Sequence, residues 1–162
     1  MTAEPDDVRQ LTVAEVLEAV SGPRPSSGAG IAAALALSLA AACGRKAAGV
    51  TLKRNDAPDL QEIDDHLALL QHRAVSHAQR DQLLFKAFLE TKQPLQAQNL
   101  VESAQLFQQL AADVEREIDR LAPLVNDSLA GDVDAARSLH RAAADIAAAL
   151  LREARRSRSR SV

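Results

Sequence analysis

The stretch from Ile31 to Cys43 reads Ile-Ala-Ala-Ala-Leu-Ala-Leu-Ser-Leu-Ala-Ala-Ala-Cys, and it limits the fold more than any other part of the chain. Alanine is the strongest helix former, but side chains this small leave the helix without a bulky stripe of its own to bury. Such a helix is stable where neighbouring backbones approach it closely on several sides. The expectation is therefore the central helix of a bundle. The uncharged run extends from Pro25 to Gly44, but it is poor in Leu, Ile and Phe for a bilayer span of about 20 apolar residues. It reads as buried in protein, with no membrane partner.

The remaining sequence supplies helices for it to pack against. Leu11 to Ser21 has Val13, Val16, Leu17 and Val20 at helical spacing, with Thr12 as N-cap and Glu15 as its capping-box partner. Ser21 to Gly30 gathers prolines and glycines and reads as a loop. Asn55-Asp56-Ala57-Pro58 supplies cap formers and a helix-starting proline. From Leu60 to Thr91 neither Gly nor Pro interrupts an apolar stripe that includes Ile63, Leu67, Leu70 and Phe85. Pro94 to Pro123 keeps the same period through Val101, Phe107, Val114 and Ile118, and Pro123 ends or kinks it. Asp134 to Arg152 forms a last Ala-rich helix. The alternating Arg and Ser residues after it have no apolar face, so 153–162 is expected to be a disordered tail. The fold class is all-α, an antiparallel bundle of about five helices in a single domain over 1–152.

Composition narrows the function. Among 162 residues there is no Trp or Tyr and there are three Phe, which disfavours a β-sandwich or barrel. A net charge of −3 makes the body of the chain a poor nucleic-acid ligand. The Arg/Ser tail is the one place where RNA or phosphate could bind, and nucleic acid is not the expected partner. One cysteine, Cys43, forms no internal disulfide and reads as a packed small hydrophobe. The opening Met1–Asp7 has no basic-then-apolar pattern, and the expected location is the cytoplasm.

Two constellations could carry chemistry. In the first, Ser27-Gly28-Ala29-Gly30 feeds the Ala-rich helix, whose unpaired amides and dipole favour a carboxylate or developing oxyanion. The same residues would also make an ordinary capped turn. In the second, Arg73, His77, Arg80 and Asp81 recur at helical spacings, so that Asp81, one turn from His77, could exchange a proton with bound water. A solvated face with an i,i+4 ion pair is the alternative. The spacings of His66 and His72 do not make a metal pair, and no metal site is expected.

At these residues the sequence resembles the cyclodeaminase/cyclohydrolase family of folate enzymes. Short segments match in chain order. Leu11-Thr12-Val13-Ala14-Glu15-Val16-Leu17 is similar to the family's opening helix, and Pro25-Ser26-Ser27-Gly28-Ala29-Gly30-Ile31-Ala32-Ala33 resembles its Gly-rich loop and Ala-rich helix. Asp81-Gln82-Leu83-Leu84-Phe85 is similar to the segment whose aspartate is implicated in catalysis. Leu121-Ala122-Pro123-Leu124 resembles its Val-Pro-Leu step, and Gly131-Asp132-Val133 through Ala149 resembles its closing Ala-rich helix.

The resemblance implies a homodimeric helical enzyme acting on a one-carbon tetrahydrofolate derivative, as methenyltetrahydrofolate cyclohydrolase or formiminotetrahydrofolate cyclodeaminase. The folate is then the substrate, and no separate cofactor or metal is implied. Asp81 becomes the catalytic proton carrier, and Ser27, Gly28, Gly30, Arg73 and His77 become substrate-binding residues. Ala29 stands where the family carries a glycine, and Leu139 follows Ser138 where the family has an aspartate. These departures, with the absence of Tyr or Trp to stack a pterin, keep a rival reading open: a non-catalytic helical dimer of the same family.

Overall fold

A computed structural model describes residues 8–23, 27–54 and 57–160. The Met1–Asp7 start, Arg24-Pro25-Ser26 of the expected loop, the Asn55-Asp56 cap formers and Ser161-Val162 lie outside the described residues. After a 3-10 turn at Val8–Gln10 come five helices: α1 (Val13–Ser21), α2 (Gly28–Leu52), α3 (Pro58–Thr91), α4 (Pro94–Leu121) and α5 (Ala130–Arg160). Two 3-10 turns, Ala122–Leu124 and Asp127–Leu129, join α4 to α5, and no strand occurs among the described residues. The all-α bundle expected from the sequence is the observed architecture.

Local chemistry accounts for the helix ends. Thr12 and Glu15 form the expected capping box: the Thr12 amide donates to Glu15 Oε2 at 2.7 Å, and the Glu15 amide donates to Thr12 Oγ1 at 3.3 Å. Pro58 and Pro94 sit in the first turns of α3 and α4, where a missing N–H costs nothing. Lys92 closes α3 in a left-handed conformation with φ 50°. Pro123 lies in the 3-10 turn that follows α4, as its lack of a donor requires.

Each of α2, α3, α4 and α5 packs on its two neighbours in cyclic order, and α2 also touches α4 across the bundle. The side-chain pairings show that the neighbours run antiparallel. Along α2 and α3, Gly44 faces Leu67, Ser38 Oγ reaches the Gln71 carbonyl and Gly30 faces Asp81. Along α4 and α5, Arg137 donates to Asp119 and Arg158 to Gln98. By length and composition α2 could cross a membrane. Here Ile31, Ala34, Leu37, Ala41, Ala48 and Thr51 are among its residues buried within the bundle. A Cβ added at Gly44 would lie 2.9 Å from Leu67 Cδ1, so the small residues of α2 are what allow α3 to approach. Full burial of Leu37, Ile63, Leu67 and Ile118 contributes about 1.5–3 kcal/mol each.

Two expectations need correction. The segment expected to be a loop up to Gly30 is helical from Gly28 onward. No described glycine has a positive φ, so Gly28 and Gly30 are not turn residues. The final helix continues to Arg160, through residues expected to be a disordered tail. Leu151 and Ala154 are buried against Val101 and Ala104, and Arg158 Nη1 donates to Gln98 Oε1 at 2.9 Å, which gives this stretch an inner face.

Candidate active site

The first turn of α2 meets α3 at Asp81, and the meeting point is built from hydroxyl groups. Ser27 is the N-cap residue of α2, yet its side chain makes no capping hydrogen bond. Its Oγ instead donates to Asp81 Oδ2. Gly30 is buried directly behind this pair: a Cβ there would overlap Asp81 Oδ2 and Ser27 Oγ and lie 3.3 Å from Asp81 Cγ. The sequence reading placed an external anion at this helix start. The chain's own Asp81 carboxylate takes that position, where the unpaired amides and the helix dipole favour negative charge.

The other carboxylate oxygen is held from α4. Ser103 Oγ lies 3.3 Å from Asp81 Oδ1 and 3.5 Å from His77 Nε2, and Ser103 is fully buried. One turn along α4, Phe107 stacks on the His77 ring with centroids 4.8 Å apart and planes inclined by 27°. Burial pushes the His77 pKa below its usual 6.5; the Asp81 charge opposes this shift and the Arg80 charge adds to it. His77 is therefore a neutral imidazole at physiological pH.

A cavity of about 160 Å³ opens over these groups. Ser27, Gly28, Ala29, Gly30, His77 and Asp81 form its polar side; Phe85, Phe88, Phe107, Leu100 and Leu150 form its apolar side, and Glu153, Ala154 and Ser157 of α5 complete the wall. All three aromatic residues of the chain thus line one cavity. A carboxylate, a neutral imidazole and hydroxyl donors beside apolar walls can bind a small planar cation and exchange protons with a water next to it.

Five of the six site residues expected from sequence converge here: Ser27, Gly28, Gly30, His77 and Asp81. Arg73 does not. It is exposed on α3 and takes no part in the cavity wall, because eight residues separate it from Asp81 and displace it by about 12 Å along the helix axis. Arg80 is likewise exposed. His66 and His72 are exposed, and Cys43 is half-buried against the core. Sequence reasoning passed over Ser103, Phe85, Phe88 and Phe107, and also Glu153 and Ser157 in the expected tail. The available signals were a lone hydroxyl on the apolar face of α4, and two of the chain's few aromatics one and two turns after Asp81.

A second, larger cavity of about 410 Å³ lies between α4 and α5, lined by residues such as His140, Arg141, Glu115 and Asp119. Its Arg137 is paired with Asp119 at 3.2 Å, and none of the hydroxyl–carboxylate chain reaches it. The chemistry is concentrated in the smaller cavity. Among the described residues no group of three His, Cys, Asp or Glu side chains is arranged to hold a metal ion.

No curated protein and no solved structure matches this chain. The family model described as formiminotransferase-cyclodeaminase matches residues 12–152, a span that takes in α1 to α4, most of α5 and every one of Ser27, Gly30, His77, Asp81, Ser103 and Phe107. With most of its fold and the whole polar side of its cavity inside that match, the chain belongs to the formiminotransferase-cyclodeaminase family.

Proposed function

We propose that this protein is a one-carbon folate enzyme, a methenyltetrahydrofolate cyclohydrolase or a formiminotetrahydrofolate cyclodeaminase, with Asp81 as the proton carrier. The observation that carries this reading is the Asp81 carboxylate, presented to an aromatic-walled cavity and held by two serine hydroxyls beside a neutral His77.

The charge of the cavity suits such a substrate. Asp81 and Glu153 are its acidic lining residues, and burial keeps His77 uncharged. A cationic N–C–N carbon entering between Phe85, Phe88 and Phe107 gains from the carboxylate and from the ring faces. In the cyclohydrolase direction, a water attacks that carbon while Asp81 takes one of its protons. As the tetrahedral adduct collapses to a formyl group, Asp81 returns the proton to the departing nitrogen, and the adduct hydroxyl releases its own to solvent. In the cyclodeaminase direction, the folate's bridging nitrogen attacks the formimino carbon, Asp81 carries the proton that it loses to the imino nitrogen, and with one further proton from solvent that nitrogen leaves as ammonia. The carbon is already electrophilic, so the chemistry requires no metal and no cofactor beyond the folate substrate.

A volume near 160 Å³ receives the reacting end of a folate and not its whole length. No lysine or arginine occurs among the described residues that line the cavity, so nothing there meets the folate carboxylates. This favours, as the second reading, a non-catalytic helical dimer of the same family. Either reading includes a homodimer in the cytoplasm. Support for the dimer comes from the exposed Val13 and Leu17 on α1 and Leu39 on α2, apolar area that a second copy can cover.

The deciding experiment mixes the protein with methenyltetrahydrofolate and follows its near-ultraviolet absorbance, which the absence of Trp and Tyr leaves unobscured. Decay with wild type and none with Asp81→Asn supports the cyclohydrolase. Ammonia release from formiminotetrahydrofolate under the same control supports the cyclodeaminase. Neither reaction, together with no shift of the folate spectrum on binding, supports the non-catalytic dimer.

A further inference from the structure

Ser103 lies outside the cavity wall, yet it touches His77 and Asp81, two of the titratable groups that line it. A serine hydroxyl has a single hydrogen, and an ionised carboxylate only accepts. Two arrangements are available. If the hydrogen points at His77 Nε2, an oxygen lone pair of the fully buried Ser103 faces Asp81 Oδ1 at 3.3 Å, which leaves two acceptors in contact with no proton between them. If it points at Asp81, both carboxylate oxygens receive a donor, one from Ser27 and one from Ser103. The Ser103 lone pair is then left to accept from an N–H on His77 Nε2.

We propose that Ser103 is the positioning residue of this site, holding Asp81 in place and fixing His77 as its Nε2–H tautomer, so that His77, Ser103 and Asp81 form one directional hydrogen-bonded chain. This rests on the proposed role of Asp81 and extends it. The chain runs His77 Nε2–H to Ser103 Oγ–H to Asp81 Oδ1. When Asp81 takes a proton from the attacking water, the order reverses. The Asp81 O–H donates to Ser103, Ser103 donates to Nε2, and the imidazole proton moves to Nδ1 by exchange with water. Charge changes only on Asp81, and His77 stays neutral throughout. The Phe107 ring packs against the face of the His77 imidazole and limits its rotation. Placing this function on a fully buried residue separates it from substrate contact.

The test is long-range proton–nitrogen NMR on the ¹⁵N-labelled full chain at neutral pH, with the His77 signals identified by their loss in His77→Gln. Wild type is expected to show the Nε2–H tautomer. Ser103→Ala is expected to mix the two tautomers and to lower turnover by about 10- to 100-fold, the equivalent of one hydrogen bond to a charged group, with KM little changed. Ser103→Thr, which restores a hydroxyl, is expected to recover both. A wild-type His77 protonated at Nδ1 overturns the proposal even if no variant folds. So does a Ser103→Ala protein with the wild-type tautomer or wild-type turnover. Absence of turnover in wild type overturns the enzymatic reading instead, and the spectrum then still decides whether the chain of three groups is built as inferred.

Discussion

Gly30→Ala tests the site and the fold against each other. Gly30 is helical with a negative φ, so its backbone accepts alanine without strain, and helix propensity favours the change by up to about 1 kcal/mol. The obstacle is space. The new methyl overlaps Asp81 Oδ2 and Ser27 Oγ and lies 3.3 Å from Asp81 Cγ, so the carboxylate must swing away. Losing the Ser27 hydrogen bond to a charged group costs about 1.5–3 kcal/mol. The net loss is about 0.5–2 kcal/mol, which in a chain of this size lowers Tm by about 1–8 °C. Displacing a proton carrier by about an ångström costs on the order of 100-fold in rate.

Catalysis and stability therefore move by different amounts. Urea unfolding and methenyltetrahydrofolate decay on the same preparation measure both. Gly49→Ala is the control, since a Cβ there meets nothing within 4 Å, and it is expected to stabilise by about 0.4–1 kcal/mol with unchanged turnover. A Gly30→Ala protein with wild-type turnover per folded molecule would refute the placement of Asp81 against the α2 start.

Phe107→Ala removes a side chain that is 2% exposed and stacked on His77; it is expected to cost about 3–5 kcal/mol in urea unfolding and to weaken ligand binding together with it. Burial lowers the His77 pKa from 6.5, so below pH 6.5 the unfolded chain takes up a proton that the native site resists. Stability attributable to His77 is complete above that pH and is lost below it, with a slope of at most about 1.4 kcal/mol per pH unit, and His77→Gln is expected to abolish this contribution in urea titrations. Deleting residues 153–162 takes Glu153, Ala154 and Ser157 from the cavity wall, and folate affinity by spectral titration is expected to fall; an unchanged Kd would show that α5 does not contribute to binding.

What was legible in the sequence was local. Thr12 and Glu15 declare a capping box because the partners are three residues apart, and the small residues of α2 declare a crowded helix whatever surrounds them. Pattern reasoning failed where the answer depended on height or on another helix. Arg73 shares a helical face with His77 and Asp81, but periodicity does not tell how far along the axis a neighbour stands. Gly28 and Gly30 look like chain punctuation. The role of Gly30 as a spacer follows only from Asp81 lying opposite, more than fifty residues further along the chain. Ser103 is one hydroxyl in an apolar stripe until α4 is laid against α3. The Arg/Ser segment is polar enough to read as a tail, and only the match of Leu151 and Ala154 to Val101 and Ala104 gives it a helical face.

The position of the site follows from the packing of the core. Gly44 against Leu67, Ser38 against Gln71 and Gly30 against Asp81 are successive pairings of two antiparallel helices. Each step toward the start of α2 is answered by a step toward the end of α3. Close packing around Gly44, about 21 Å along α2 from Gly30, therefore sets the register at which Asp81 meets the helix start. A bulkier residue in the middle of α2 would push α3 outward and move Asp81 from Ser27 without touching either. The alanines and glycines of α2 thus serve two ends at once: they let the backbones approach along the core, and at the helix start the same lack of side chains leaves room for a carboxylate. A helix selected only for stability would carry larger side chains at Gly30. Its smallness at that position is explained by the carboxylate it faces and not by the bundle it belongs to.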